Sequence, residues 1–380
     1  FWVYNQRIVL DENYEAGDAY ISSEKYETMI GFHVYEDDIL ITTRGTIGKI
    51  SRIPHIHKPG ILHPCIIRFR IDDSLYDYRL LKLIFNQSDF VTEQILYKSN
   101  ATTIEVIYSD TLKNVILPVW DMQTQRKIAD FLDTKCSEID ALTADIQTQI
   151  DTLEQYKRSV ITATVTKGLN PDVEMKDSGI EWIGEIPVTW DIIRGKYLLK
   201  YLQKPVKEDD GVITCFRDGE VTLRSNRRKD GFTMSDKEIG YQGIDAGDLV
   251  VHGMDGFAGA IGISDSRGKA SPVLNVMDTK QNKRYIMYYL RSMAYSDVFV
   301  ALATGIRVRS CDLRWNKLAD LSYPVPSIEE QTAIVEYIDT TLEKTDVVIS
   351  KKKAQLETLD EYKKSLIYEY VTGKKEVPSI

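Results

Sequence analysis

Apolar residues return at every seventh position along one stretch of this chain: Leu132, Ile139, Ile146, Leu153 and Val160, with Leu142, Ile150 and Tyr156 widening the stripe. No Pro or Gly interrupts between Met122 and Lys167. A heptad stripe on an uninterrupted helix is the seam of a coiled coil, because it keeps one face turned to a partner helix. A second stretch carries the same period at Val335, Leu342, Ile349 and Leu356, before the apolar line shifts to Leu359 and Leu366. Ser327 followed by Glu330 supplies a capping-box start, and Gly373 a stop. At about 1.5 Å per residue each helix would run on the order of 60 Å, too long to pack within an ordinary domain. The expectation is that the two helices bury their seams against each other; the alternative is a pair of unrelated amphipathic surface helices.

The intervening segments have another character, rich in Tyr, Ile, Val, Gly and Thr, with alternating runs such as Ile39-Leu40-Ile41-Thr42-Thr43 and Gly247-Asp248-Leu249-Val250-Val251. These are strand signals bounded by turns. Each globule then shows a short helical pattern, Tyr78 to Val91 and Lys283 to Val300. A Thr-rich or Gly-rich turn follows, Asn100 to Ile104 and Thr304 to Arg309, and a final apolar strand is expected to enter a Pro-containing hinge. The predicted order is globule, helix, globule, helix.

The two halves are copies. At a constant offset of 206 residues, Pro118 meets Pro324, Gln125 meets Gln331, Ile128 meets Ile334, Asp133 meets Asp339 and Asp140 meets Asp346. The register continues through Tyr156 with Tyr362, Lys157 with Lys363, Ser159 with Ser365, Ile161 with Ile367 and Val165-Thr166 with Val371-Thr372. A gapless repeat of this kind marks a duplicated unit, and two copies imply pseudo-twofold symmetry. The predicted fold class is therefore α+β: two mixed α/β globules separated by an antiparallel coiled coil of two long helices. The boundaries read from the sequence are 1–121, 122–167, a linker 168–189, 190–326, 327–373 and a tail 374–380. More residues separate Pro187 from Gly256 than precede Gly45, so the first globule is expected to be short of its opening strands.

Composition and charge narrow the function. With 380 residues and 43% hydrophobic content the chain can build two or three cores. No apolar run reaches the length of a membrane span, and no secretory segment opens the chain, so the expectation is a soluble cytoplasmic protein. Cys65, Cys136, Cys215 and Cys311 stand singly, which suits small core residues in a reducing compartment rather than structural zinc. A net charge of −9 repels phosphates unless basic residues are segregated. They partly are, since residues 190–326 hold 21 Lys and Arg against 17 Asp and Glu, whereas residues 1–121 hold 12 against 17.

Arg on loops punctuated by Gly and Asn suits phosphate and base-edge contact. In the first globule the candidate DNA contacts are Thr43, Arg44, Thr46, Lys49 and Arg52, with Asn100 and Thr102 on the later turn. In the second they are Arg217, Arg224, Arg227, Arg228 and Lys229, then Met254 and Asp255, then Arg307 and Arg309 near Arg314 and Lys317. For each one, a solvated basic face is the competing reading. His55 and His57 form a His-x-His pair with no third ligand at metal spacing, so a polar loop near phosphates is preferred to a metal site. Glu36, Asp37 and Asp38 read as an acidic turn opening a strand.

A search for catalysis returns nothing: no GxxxxGK[ST], GxGxxG, GxSxG or HExxH, no base-flipping Asn-Pro-Pro-aromatic element and no nuclease triad. One further run does carry a likeness. Ile180-Glu181-Trp182-Ile183-Gly184-Glu185-Ile186-Pro187 followed by Trp190 resembles the opening of a target-recognition domain in the specificity subunit of type I restriction-modification systems. The Pro-rich hinge Tyr323 to Ser327 with Glu329-Glu330-Gln331, and the helix ends Tyr156 to Ile161 and Tyr362 to Ile367, resemble the same family. The first hinge departs from it, with Met122-Gln123-Thr124-Gln125 in place of Glu-Glu-Gln.

The resemblance implies a non-catalytic subunit with two target-recognition domains, each reading half of an interrupted sequence in double-stranded DNA and held apart by the coiled coil as a ruler. It implies two modification (methyltransferase) subunits and restriction/translocase subunits as partners, and no membrane. S-adenosylmethionine, ATP and Mg2+ then belong to those partners and no cofactor to this chain. Alternatives stay open: the recognition portion of a self-contained restriction-modification enzyme, a decoy that binds modification subunits, or a coiled-coil adaptor without DNA binding.

Overall fold

The fold is that of a computed structural model describing residues 1–15, 17–55, 57–99, 106–227, 239–302 and 313–378. It divides into two compact units: Phe1–Thr148 with Lys352–Ile380, and Gln149–Lys351. Each unit holds one globule together with a part of each of two long helices, Met122–Lys167 and Ile328–Val371.

In the first unit Ile39–Thr42 lies between Ile50–Arg52 and Ile66–Phe69, antiparallel to both. Trp2–Tyr4 pairs in parallel with Gly60–Leu62. Every side chain of the central strand is buried, so the run expected to alternate is covered on both faces: Ile39, Leu40 and Ile41 are apolar in succession and Thr42 is buried at its end. Helix Tyr78–Asn86 covers the sheet through Leu80, Leu81, Leu83, Ile84 and Phe85. The same core takes in Ile128, Ala129, Leu132, Cys136 and Ile139 from the first long helix and Leu366, Ile367, Tyr370 and Val371 from the second. Phe131 packs against Tyr370 with tilted rings 4.6 Å apart and Asp140 accepts from Lys363 at 2.7 Å, so numbering rises on one helix as it falls on the other. The pair is antiparallel.

The second unit repeats this plan with one more strand. Leu249–His252 lies between Ile261–Ile263 and Leu274–Thr279, and Leu199–Tyr201 extends the sheet beyond Leu274–Thr279. Helix Lys283–Tyr295 packs its buried face on this sheet, in one core with Ile161 and Val165 of the first long helix and Ile334, Val335 and Ile338 of the second. The predicted helical patterns break where a polar residue intervenes. Tyr78 to Val91 divides at Ser88 and Asp89 into Tyr78–Asn86 and Phe90–Ser99, and Lys283 to Val300 divides at Asp297, which sits at φ 55°.

One expectation fails. Before the second hinge Ser322–Val325 is a strand, antiparallel to Asp191–Arg194, with Tyr323 and Val325 buried. Its counterpart before the first hinge, residues 116–119, forms no strand, and Ile116 and Val119 are 71% and 74% exposed. The described residues of the first unit provide no strand in the place that Asp191–Arg194 takes in the second. An apolar segment without a pairing edge cannot complete a ladder, whatever its β propensity.

The caps of the two long helices correspond in position though not in residue type. Asp121 caps the first long helix, its carboxylate accepting from the Thr124 N–H at 3.0 Å and from the Thr124 hydroxyl. Ser327 caps the second, accepting from the Glu330 N–H at 3.2 Å. Gly168 and Gly373 end the two helices at φ 76° and 73°, a conformation in which a Cβ is costly.

Candidate nucleic-acid interface

In both units the central strand runs out into a Gly-punctuated loop, and these loops carry many of the residues singled out for DNA contact. In the first unit Gly45 and Gly48 take positive φ and turn the chain at Thr43–Lys49. Arg44 and Thr46 are exposed on this turn, and Gln6 braces it by donating to the Thr46 carbonyl at 3.1 Å. Thr43 is buried: its N–H donates to the Cys65 carbonyl and its own carbonyl accepts from Ile107 at 3.0 Å. Lys49 turns inward, donating to the Asn86 carbonyl, and burial lowers its pKa. Arg52 pairs with Asp73 at 2.7 Å and lies over the Tyr78 ring at 4.4 Å. Of these five, Arg44 and Thr46 are the ones displayed to solvent.

The loop of the second unit has other chemistry. His252 closes the strand, and its Nδ1 accepts from the N–H groups of Met254 and Asp255 at 3.2 and 2.9 Å. Burial lowers the His252 pKa, which favours the neutral ring that this acceptor role needs. Met254 therefore projects, 53% exposed, from a turn held on both sides. Asp255 accepts from Arg217 at 2.8 Å, so two residues far apart in sequence form one polar edge beside the Met254 side chain. Arg224 donates to the Thr214 hydroxyl at 3.2 Å. Arg227 bridges Asp218 and Glu220 and stacks on Phe216 at 4.2 Å. Asn100, Thr102, Arg228, Lys229, Arg307 and Arg309 lie outside the described residues.

The acidic turn at Glu36 to Asp38 closes on itself. Asp38 is buried, accepts the Tyr35 N–H at 2.8 Å and holds both Arg68 and Arg70. His55 pairs with Glu36 at 2.7 Å, and no group of three His, Cys, Asp or Glu suited to a metal occurs among the described residues. Among those residues, no helix is long and apolar enough to cross a membrane.

A cleft of about 720 Å³ in the second unit has no signal in the sequence. Arg158 lies over the Tyr295 ring at 5.4 Å, and Arg291 donates to the Tyr295 hydroxyl at 2.9 Å. Arg217 and Lys157 also line the cleft, opposed by Glu154, Asp218, Asp297 and Asp346. Its cations come from one long helix, one short helix and one loop, so no local run of basic residues announces it.

The arrangement defines a class: a duplicated scaffold of sheet, covering helix and paired long helices, displaying two loop sets of unlike chemistry. Residues 5–152 match the family model for the type I restriction modification DNA specificity domain. Over 98% of its length the chain is 24% identical to the type I restriction enzyme MjaVIII specificity subunit of Methanocaldococcus jannaschii, covering 89% of that protein. Over 90% of its length it is 22% identical to the type I restriction enzyme EcoBI specificity subunit of Escherichia coli, covering 75% of it. Its fold matches a chain solved in work on complex assembly and conformational transition of the type I R-M system, with a TM-score of 0.66 at 14% identity, covering 90% of this chain and 83% of that one. Over nearly its whole length the chain is thus similar to type I restriction enzyme specificity subunits.

Proposed function

We propose that this chain selects a bipartite DNA target for a type I restriction-modification complex, each globule reading one half-site. The supporting observation is the pairing of a conserved scaffold with divergent tips. The first unit offers Arg44 and Thr46 where the second offers Met254 beside the Arg217–Asp255 pair. Two copies kept alike in their cores and unlike in their loops suit a reader of two different half-sites. An Arg fork fits guanine or phosphate, and an apolar Met beside a polar edge fits a thymine methyl next to a hydrogen-bonding base edge.

In this reading the long helices set the distance between half-sites and dock two methyltransferase subunits, and restriction/translocase subunits complete the complex. Methyl transfer, ATP-driven translocation and cleavage are carried by those partners with their S-adenosylmethionine, ATP and Mg2+. Phosphate neutralisation is shared as well, because a chain of net charge −9 binds DNA weakly alone.

Single-molecule sequencing for N6-methyladenine in cells carrying the chain and its methyltransferase partner tests the reading. The expected result is one interrupted motif methylated on both strands. Removing one heptad from each long helix, about 10.5 Å of rise, is expected to shorten the gap by about three base pairs. An unchanged gap defeats the ruler, and failure of the chain to co-purify with any methyltransferase subunit defeats the whole reading.

A further inference from the structure

The hinge of each unit carries the same hydrogen-bond wiring. Gln125 and Gln331, repeat counterparts in the first turn of each long helix, are both fully buried. The Gln125 amide accepts the Asp77 N–H at 2.8 Å and donates to the carbonyls of Leu75 and Trp120, each at 2.8 Å. The Gln331 amide accepts the Asn282 N–H at 2.9 Å and donates to the Gln281 side chain at 2.7 Å and the Pro326 carbonyl at 2.9 Å. Asp77 and Asn282 in turn cap the short helices Tyr78–Asn86 and Lys283–Tyr295. Each glutamine thus ties the start of a long helix to the start of the helix that covers its own globule's sheet.

A second tie is duplicated two turns further on. Arg79 pairs with Asp130 at 2.7 Å and lies 3.6 Å from Asp133, while Arg284 pairs with Asp339, which also accepts the Tyr288 hydroxyl. Asp133 and Asp339 are counterparts in the 206-residue register. Asp133 and Asp339 lie eight residues beyond the glutamine on the long helix, about 12 Å along its axis, and in the first copy the shorter bond to Asp130 falls five residues beyond it, about 7.5 Å. One tie alone is a pivot. Two ties at that separation, joining the same two helices, fix the rotation of the globule about the rod.

We infer that Gln125 with Arg79–Asp130/Asp133, and Gln331 with Arg284–Asp339, are positioning residues that set the rotational phase of each recognition domain, and with it the half-site spacing accepted. The inference rests on the bipartite reading proposed above. Adding one base pair between half-sites turns one relative to the other by about 34°, since B-DNA repeats every 10–10.5 base pairs. A reader that counts base pairs therefore has to hold its domains to within a fraction of that angle, which calls for side chains locked by burial and hydrogen bonds. A merely stable hinge would not need the second tie.

Two measurements test this in the second unit. The first uses the full chain with native cysteines replaced by serine and spin labels at Glu208→Cys and Glu343→Cys, one on the globule and one on the long helix. Arg284→Ala and Gln331→Leu are each expected to broaden the label distance distribution at least twofold. Arg284 is half exposed, so its removal leaves the core intact, and the swap Arg284→Asp with Asp339→Arg is expected to restore the narrow distribution. The second uses the chain with its methyltransferase partner on DNAs whose gap is native, one base pair shorter or one longer. Both variants are expected to lower the preference for the native gap at least tenfold, with recovery in the swap.

An unchanged distance distribution overturns the inference. So does broadening accompanied by a parallel fall at all three gaps, which marks a structural role only. Wild-type chain that modifies no interrupted site at all sinks the bipartite reading instead, and the label distances still judge the two ties independently.

Discussion

Ile39–Thr42 in the first unit and Leu249–His252 in the second are the same strand built twice, each opened by a buried Asp. Asp38 accepts the Tyr35 N–H at 2.8 Å, and Asp248 accepts the Asp245 N–H at the same distance three residues back. Around this common start the partners differ: Asp38 holds Arg68 and Arg70, whereas Asp248 shares Lys204 with Asp245, which Arg267 joins to Asp210. At the other end of the strand even the residue types part company, Arg44 and Thr46 against Met254 and Asp255. Duplication has kept backbone-directed bonds and core positions while side chains meeting solvent drifted.

If the scaffolds are equivalent, matched core truncations should cost alike. Ile39 and Leu249 occupy corresponding, fully buried positions. Ile39→Ala and Leu249→Ala are each expected to destabilise by about 2–5 kcal/mol, read as a lower denaturation midpoint, with hydrogen exchange locating the loss in the mutated unit. A large difference between the two would break the equivalence.

The helix ends should differ, and the structure gives the order. A Cβ on Gly373 would land on the Trp120 indole, whereas one on Gly168 would stand 3.2 Å from the Glu330 carboxylate and 3.3 Å from Trp190. Both glycines sit at positive φ, which alone costs an L-residue about 1–2 kcal/mol. Gly373→Ala is therefore expected to lose roughly 2–3 kcal/mol and Gly168→Ala about 1–2, since a Cβ on Gly373 overlaps the Trp120 ring whereas one on Gly168 is only slightly crowded by Glu330 and Trp190. Equal losses would show that the backbone conformation, not the ring, sets the cost.

Acid should find the second unit through its ion-pair network. Hydrogen bonds from Lys204 and Arg267 bring the Asp245 pKa down to about 2, and Arg267 likewise lowers that of Asp210. A carboxylate depressed in the folded state contributes stability that is complete above its unfolded pKa and is lost as pH falls through the folded value. The window runs from about pH 4 down to about pH 2. Asp245→Asn is expected to flatten the fall in melting temperature across that window while leaving the neutral-pH slope unchanged. An unaltered acid slope would assign the loss to other carboxylates.

Much of this comparison was legible in the chain itself. The heptad stripes disclosed both long helices, and Ser327, Glu330 and Gly373 the ends of the second, because helix signals are local and a period of seven sustained over about six turns or more belongs to a helix. The repeat register, not any single motif, disclosed the duplication. What stayed hidden depends on contacts distant in sequence. Residues 116–119 match Ser322–Val325 in pattern yet form no strand, since pairing needs a second edge. Thr43 and Lys49 sit on a turn that looks displayed and Arg52 ends the strand that follows it, and only the folded chain reveals the Cys65, Asn86 and Asp73 partners that draw them in. The cleft around Tyr295 gathers its cations from three elements, which no spacing rule joins.

The smallest expected effect probes the symmetry of the rods. Lys157 donates to Asp346 at 2.6 Å in the second unit, and Lys363 to Asp140 at 2.7 Å in the first. The repeat register exchanges these pairs, since Lys157 corresponds to Lys363 and Asp140 to Asp346. In each the lysine is mostly covered and the aspartate more than half exposed. Water screens such bonds, so Lys157→Met and Lys363→Met are each expected to cost about 0.2–1 kcal/mol at low salt and less at high ionic strength. Lys157 also lies 3.3 Å from Glu154, and although burial opposes its charge, the two carboxylates raise its pKa. Its loss should therefore be the larger of the two and persist to higher pH. Identical losses at every salt concentration would mean that Glu154 adds nothing and that the rods are alike in energy as well as in sequence.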